Sequence, residues 1–225
     1  MDFILNRLLI GLVGALFLTG CQTADPLSGK HDPGHPWWSL EFVAPIYMTG
    51  WVEASMVEDV RGKLINHGSA GAIGNGNYGF EKELARGWPN ALAGSGIRGV
   101  TGADMPVRVY VRWQSVVEQQ TYRAWIEIPE EARQIMRNSI DRRCPQRPEQ
   151  EANHFATLHL GLAPGGVVQV WARDECSIPI KVARAQAELE PLGPSQGRTD
   201  GRYAYKIKDN TQQYIDKYGI PYGSW

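Results

Sequence analysis

The clearest pattern in the chain is the alternation of apolar and polar residues between positions 105 and 128. In "MPVRVYVRWQS" the apolar residues Val107, Val109, Val111 and Trp113 are separated by polar residues and Tyr110. Strict alternation of this kind is typical of a strand with one buried face. The next segment, "QQTYRAWIEIP", repeats the pattern, so the two segments together predict a β-hairpin.

Two segments have the features of short helices. "PEEARQIMRNSI" begins at Pro129, carries two glutamates in its first turn and repeats its apolar residues at helical spacing. "DNTQQYIDKYG" begins with capping residues and ends at Gly219, a common helix stop. We therefore predict one helix after the hairpin and a second helix close to residue 219.

Further strands are predicted on both sides of the hairpin. "WWSLEFVAPIYMTGWVEASMVEDV" predicts two strands broken at Pro45 or Gly50, and "HFATLHLGLAPGGVVQVWARD" predicts strand, turn, strand. "IPIKVARAQAELEPL" and "GRYAYKIKD" each predict one more. The expected fold class is α+β, mainly antiparallel β, a sheet or sandwich of about seven to nine strands with one or two short helices.

Residues 66–104 differ from the rest, because they are rich in glycine and show no sustained period. Such a segment in a compact domain is usually a functional or a mobile loop. We expect residues 37–225 to form a single β-rich globular domain that contains this long loop, since a folded part of under 200 residues is most simply one domain.

The amino-terminal residues have the anatomy of an export signal. Arg7 precedes an unbroken apolar run over residues 8–18, which suits a signal-peptide core and is short for a membrane span. The following "LTGC" resembles the lipobox of bacterial lipoproteins. The resemblance implies a signal peptide over residues 1–20 and lipidation of Cys21, whereas an ordinary signal peptide or a buried cysteine is the alternative.

Residues 21–36 are small, polar and interrupted by proline, which predicts a flexible lipidated tether. Two or more acyl chains hold a protein stably on a bilayer. Gln22, in place of aspartate, suggests by resemblance to enterobacterial sorting rules that the protein reaches the outer membrane and faces the periplasm.

The two remaining cysteines, Cys144 and Cys176, would meet the oxidising periplasm after export. We expect them to form a disulfide, worth about 3 to 4 kcal/mol from loop entropy, and two free buried thiols are the alternative. Neither has a partner at metal-ligand spacing, so we expect no metal site and no cofactor. A formal net charge of −1 provides no basic field to recruit nucleic acid.

Two short motifs match enzyme patterns without their structural context. "GNGNYG", residues 74–79, lacks the strand that precedes a dinucleotide-binding turn, and "GPSQG", residues 193–197, is followed by no histidine that could complete a triad with Ser195. His154 and His159 are five apart in an extended segment, so they would point to opposite faces. We therefore expect a protein that is not an enzyme.

Three segments together resemble a family of bacterial lipoproteins defined only as a domain of unknown function. They are "VRVYVRWQSVVEQQTYRAWIEIPEEAR", "LHLGLAPGGVVQVWARDE" and "YIDKYGIPYGSW". Members are often encoded beside lipase toxins of the type VI secretion system, so the resemblance implies an immunity protein that binds and inhibits a secreted lipase effector.

An inhibitor of this kind could insert side chains of the glycine-rich loop into a concave active site. The candidate partner-binding residues are Tyr78, Trp88 and Arg98. The alternative for Trp88 is that it packs beneath the loop, which is the more common arrangement for any single aromatic residue. The alternative function is a structural or housekeeping envelope lipoprotein that binds another protein or a cell-wall component. The sequence leaves the oligomeric state open.

The lipid anchor predicts the outcome of one substitution. Cys21→Ser should move the protein from the membrane fraction to the soluble fraction and leave the domain folded, because it removes only the acylated thiol. Fractionation followed by immunoblotting measures this. A Cys21→Ser protein that stays with the membrane would contradict the anchor.

Overall fold

The structure, a computed structural model, describes residues 37–74, 87–89, 92 and 95–225. These residues form eleven strands in two mostly antiparallel sheets, together with two short α-helices. The predicted α+β class is therefore confirmed. No helix among these residues is both long enough and apolar enough to cross a membrane.

The first sheet has five strands in the order β10-β9-β8-β1-β5, and the second has β11-β7-β6-β2-β3 with β4 also paired to β2. The only parallel pair in these two sheets is β1 with β8. The elements are β1 (Trp38–Val43), β2 (Gly50–Asp59), β3 (Leu64–Gly68), β4 (Gly71–Ile73), β5 (Ser95–Gly99), β6 (Pro106–Ser115), β7 (Gln120–Glu127), α1 (Glu130–Asp141), β8 (Ala156–Ala163), β9 (Val167–Arg173), β10 (Pro179–Gln186), β11 (Glu188–Leu189) and α2 (Asp209–Tyr218).

The predicted hairpin and both predicted helices are present. In the hairpin of β6 and β7, Val111 lies opposite Ala124, and the apolar residues of β6 face the core. Helix α1 buries Ala132 and Met136 against the same core, and α2 ends at Gly219, whose N–H donates to the carbonyl of Ile215. The strong periodic patterns thus gave the right elements.

One hydrophobic core lies between the two sheets. The five-stranded sheet contributes apolar residues of β1, β8 and β9, and the six-stranded sheet contributes those of β2, β6 and β7. Phe42, Leu160 and Val111 are fully buried there. Burial of these alternate residues fixes which face of every strand points inward, and it leaves one outer face on each sheet.

The prediction of a long irregular loop over residues 66–104 is wrong for much of the segment that the structure describes. Strands β3 and β4 both pair with β2, end to end, and β5 pairs with β1. These strands are too short to show a period, which also explains why eleven strands exceed the expected number. Gly96 has φ +66°, and a Cβ there would lie 2.8 Å from the carbonyl oxygen of Ala70, so glycine is needed where β5 passes the turn between β3 and β4.

The strand predicted at "GRYAYKIKD" is also wrong. Residues 201–208 contain turns and bends with no strand pairing. The N–H of Ala204 donates to the side-chain oxygen of Gln114 at 2.7 Å, in place of a neighbouring strand. The alternating tyrosines therefore belong to a segment that lies across the outer face of the six-stranded sheet. We call residues 194–205 the covering segment.

The last residues of the chain dock into a second, smaller core. Trp225 is 6% exposed and packs with Tyr47, Met48 and Tyr214. Its indole N–H donates to the carbonyl of Pro164 at 3.1 Å. The aromatic end of the chain thus joins the β8–β9 turn to α2.

This packing predicts a large loss of stability in Trp225→Ala. Truncating a buried tryptophan leaves a cavity and typically costs about 3 to 5 kcal/mol. Trp125→Ala is the matched control, because Trp125 is 38% exposed and its loss should cost about 1 kcal/mol. Urea unfolding of the full chain measures both values, and a loss of about 1 kcal/mol or less for Trp225→Ala would contradict the prediction.

Candidate functional site

The residues that the sequence suggested for partner binding do not come together. Tyr78 and Cys21 lie outside the described residues. Trp88 is half-buried and meets Trp171 edge-on, with 5.1 Å between ring centroids. It lies directly over Gly161, where a Cβ would come within 2.6 Å of both indoles. Trp88 therefore packs onto the outer face of the five-stranded sheet instead of projecting from it.

Arg98 has a different environment on β5. Its guanidinium donates to the carbonyl of Ser69, between β3 and β4, and thereby links an edge of one sheet to an edge of the other. Burial and this guanidinium together lower the pKa of the neighbouring His67. These contacts make Arg98 a link within the fold.

Cys144 and Cys176 are joined by a disulfide with a Cα–Cα distance of 4.6 Å. The bond ties the segment after α1 to the turn between β9 and β10. Arg147 reinforces the link by donating to the carbonyl of Cys176 at 2.9 Å.

A row of polar residues crosses the outer face of the five-stranded sheet, with a buried histidine at its centre. His159 is fully buried, and its Nε2 accepts a hydrogen bond from Nε of Arg173 at 2.8 Å. Since arginine can only donate, the neutral imidazole holds its proton on Nδ1, which lies 3.4 Å from a carboxylate oxygen of Glu41. Arg173 also donates to the carbonyl of Leu92, whose side chain packs with Val43 and Trp171.

Burial sets the titration of this row. It lowers the pKa of His159 to about 4, with help from the Arg173 cation, and it raises the pKa of Glu41. Because His159 has no solvent access, we interpret it as a structural histidine that stays neutral at physiological pH.

Ser195 does not have the geometry of a nucleophile elbow. It lies in a short 3-10 turn at Pro194–Gly197, with φ 51°. This conformation directs its backbone N–H to Glu53 at 2.5 Å. The same carboxylate accepts from Arg112 at 2.6 Å and from Gln114 at 2.7 Å. The turn thus anchors the covering segment to the sheet.

The covering segment lies over half of the outer face of the six-stranded sheet. The other half is open, and it is the candidate functional site. Cross-strand register places two parallel rows of side chains on it. We call these rows the open face; they consist of Leu64, Glu58, Arg108 and Glu127, and of Asn66, Met56, Tyr110 and Trp125.

The aromatic centre of the open face is held rigidly. Tyr110 and Trp125 are in contact, with 5.3 Å between ring centroids, and the guanidinium carbon of Arg108 lies 4.5 Å from the centre of the Trp125 ring. Nε of Arg108 also donates to Glu58 at 2.6 Å. Tryptophan, tyrosine and arginine are the residues most often found at the energetic centres of protein interfaces.

Sequence reasoning missed this site because it placed Tyr110 among the outward residues of its strand and did not assign Trp125 to a face. The available signal was two large aromatic residues at polar positions of consecutive strands. Among the described residues, no cluster of three or more histidine, cysteine, aspartate or glutamate side chains could hold a metal ion.

The chain belongs to the family described as "Protein of unknown function (DUF2931)", whose model matches residues 26–223. No curated protein and no solved structure matches the chain.

The buried histidine predicts a pH dependence of stability. Between pH 6.5, the ordinary pKa of histidine, and about pH 4, the unfolded chain binds a proton at residue 159 and the folded chain does not. The contribution of His159 to the free energy of unfolding should therefore fall by about 3 kcal/mol as the pH drops through that range.

Unfolding of wild type and His159→Gln at several pH values tests this prediction. Subtracting the two stabilities largely removes the contribution of Glu41, which has the opposite sign and is present in both proteins. The difference should grow from pH 4 to pH 6.5 and then level off. A difference that is constant with pH would contradict a neutral buried His159.

Proposed function

We propose that this member of the DUF2931 family is a lipid-anchored protein of the cell envelope that binds and inhibits a lipase effector of a type VI secretion system. The proposed anchor is the lipid on Cys21, and the proposed location is the periplasmic side of the outer membrane. The proposal assigns the protein no catalysis, cofactor or metal. The protein would act only by binding the effector and thereby inhibiting it.

The observation that supports a binding role best is the open face itself. It presents Trp125, Tyr110 and Met56 side by side on three adjacent strands. Aromatic residues, methionine and arginine are enriched in protein interfaces, and a side chain held on a rigid strand loses little further entropy on binding. This arrangement favours a folded protein partner with a complementary apolar pocket.

The charged residues of the open face would determine the orientation of the bound partner more than the affinity for it. Arg108 already pairs with Glu58, and Glu127 lies opposite Arg108 on β7. Rim charges of this kind mainly affect association rate and partner choice. We therefore place the energetic centre of the interface at Trp125.

The anchor would add to binding without any further contact. A lipase must work at the membrane surface, and a lipidated inhibitor on that surface meets it at a raised effective concentration. A polar tether over residues 21–36 would let the open face reach an enzyme lying on the lipid.

Inspection of the neighbouring genes for a type VI lipase effector, followed by periplasmic co-expression with that effector, tests this proposal. Wild type should relieve killing, and Trp125→Ala should raise the dissociation constant at least about tenfold, since truncation of an interface centre costs more than 1.4 kcal/mol. Phe155→Ala is the matched control. Phe155 is also exposed, at 51%, but precedes β8 in the other sheet, so this variant should bind as wild type does.

The possible results distinguish a failure of the proposed function from a failure of the proposed binding site. Unrelieved killing together with no detectable binding by wild type would refute the immunity role and favour a housekeeping lipoprotein. Binding by wild type that Trp125→Ala leaves unchanged would refute only the assignment of the open face.

A further inference from the structure

A small cavity of about 160 Å³ lies beside the first turn of α2. Thr49 and Val116 line it from the side of the six-stranded sheet, and Lys206, Ile207, Lys208 and Thr211 line it from the segment that leads into the helix. Tyr205, the last residue of the covering segment, also lines it, but the cavity shares no residue with the open face. Its function is therefore independent of the proposed inhibition.

Thr211 is the unusual residue of this cavity. It is 1% exposed, and its hydroxyl has no hydrogen-bond partner among the described residues. Its own backbone N–H is satisfied by Asn210, at 2.9 Å. A buried hydroxyl normally has a partner, because leaving it unpaired is unfavourable. A ligand oxygen in the cavity would supply that partner.

The charges around the cavity favour an anion. Lys206 and Lys208 both line it, and within the described part of the chain neither has a carboxylate within 4.0 Å. The amino end of α2 adds the partial positive charge of a helix dipole. Asp209, in the first turn of α2, carries a negative charge, but it does not line the cavity. Over residues 206–209 the two lysines and this aspartate leave a net charge of +1.

We propose that this cavity binds the terminal phosphate of a phosphate monoester. The threonine hydroxyl and the two ammonium groups can donate to separate phosphate oxygens, whereas a carboxylate has only two oxygens to share among them. The apolar walls formed by Val116 and Ile207 suit the carbon next to the ester oxygen. A phosphodiester, substituted on both sides, fits a cavity of this size less well.

Calorimetric titration of the full chain, purified in a nonionic detergent, tests the site with glycerol 3-phosphate, inorganic phosphate and acetate. Wild type should bind both phosphates and bind acetate at least about tenfold more weakly. Thr211→Val should weaken phosphate binding about tenfold or more, and Thr211→Ser, which keeps the hydroxyl, should restore it. Lys206→Gln combined with Lys208→Gln should also weaken it, whereas Lys181→Gln, on β10, is the matched control and should not.

Mixed micelles that contain phosphatidic acid distinguish a lipid headgroup from a soluble monoester. Tighter binding to the micelles than to glycerol 3-phosphate identifies a lipid source, and the reverse identifies a soluble one. Thr211→Val should unfold at the same temperature as wild type or higher without ligand, because it removes an unpaired buried hydroxyl. Absence of phosphate binding, equal binding of acetate, or unchanged binding by folded Thr211→Val would each overturn the proposal.

Discussion

The hydrogen bonds of the buried Glu53 carboxylate determine which part of the six-stranded sheet is covered and which part is exposed. Its side chain is 4% exposed, and it holds Arg112 and Gln114 of the neighbouring strand together with the backbone of Ser195. A buried charge without partners is strongly destabilising, and removing one member of such a group typically costs about 3 to 5 kcal/mol. The sheet therefore requires the covering segment at this position, and the segment in turn leaves the other half of the face open.

Both proposed binding sites lie at the borders of the covering segment. On one side it stops short of the rows that contain Tyr110 and Trp125, which stay accessible. On the other side the chain continues into α2, where Tyr214 stacks on Tyr47 with ring centroids 4.6 Å apart. That stacking holds the helix that carries Thr211. The polar anchor at Glu53 thus positions the covering segment, and the aromatic stacking positions α2.

The outer face of the five-stranded sheet is used differently. In its polar row of Glu41, His159 and Arg173, only His159 is fully buried, and Trp88 and Leu92 pack against Trp171 on the same face. The absence of a side chain at Gly161 lets the Trp88 indole reach the sheet. The two outer faces therefore differ: one carries a buried histidine beside packed aromatic residues, and the other exposes aromatic residues beside paired charges.

The sequence by itself determined the elements with a clear period. These are the hairpin of β6 and β7, helix α1, and the pair of strands joined at "PGG", because side-chain alternation and helical spacing are local properties. It did not determine the strands around Gly96, which are too short to show a period. It also did not determine that residues 201–208 form turns and bends in place of a strand. It placed Tyr110 on the outward side of its strand, but it did not show whether anything covers that side. That was decided by tertiary contacts such as Ser195 to Glu53, 142 residues apart, because a periodic pattern separates two faces without saying what packs on either.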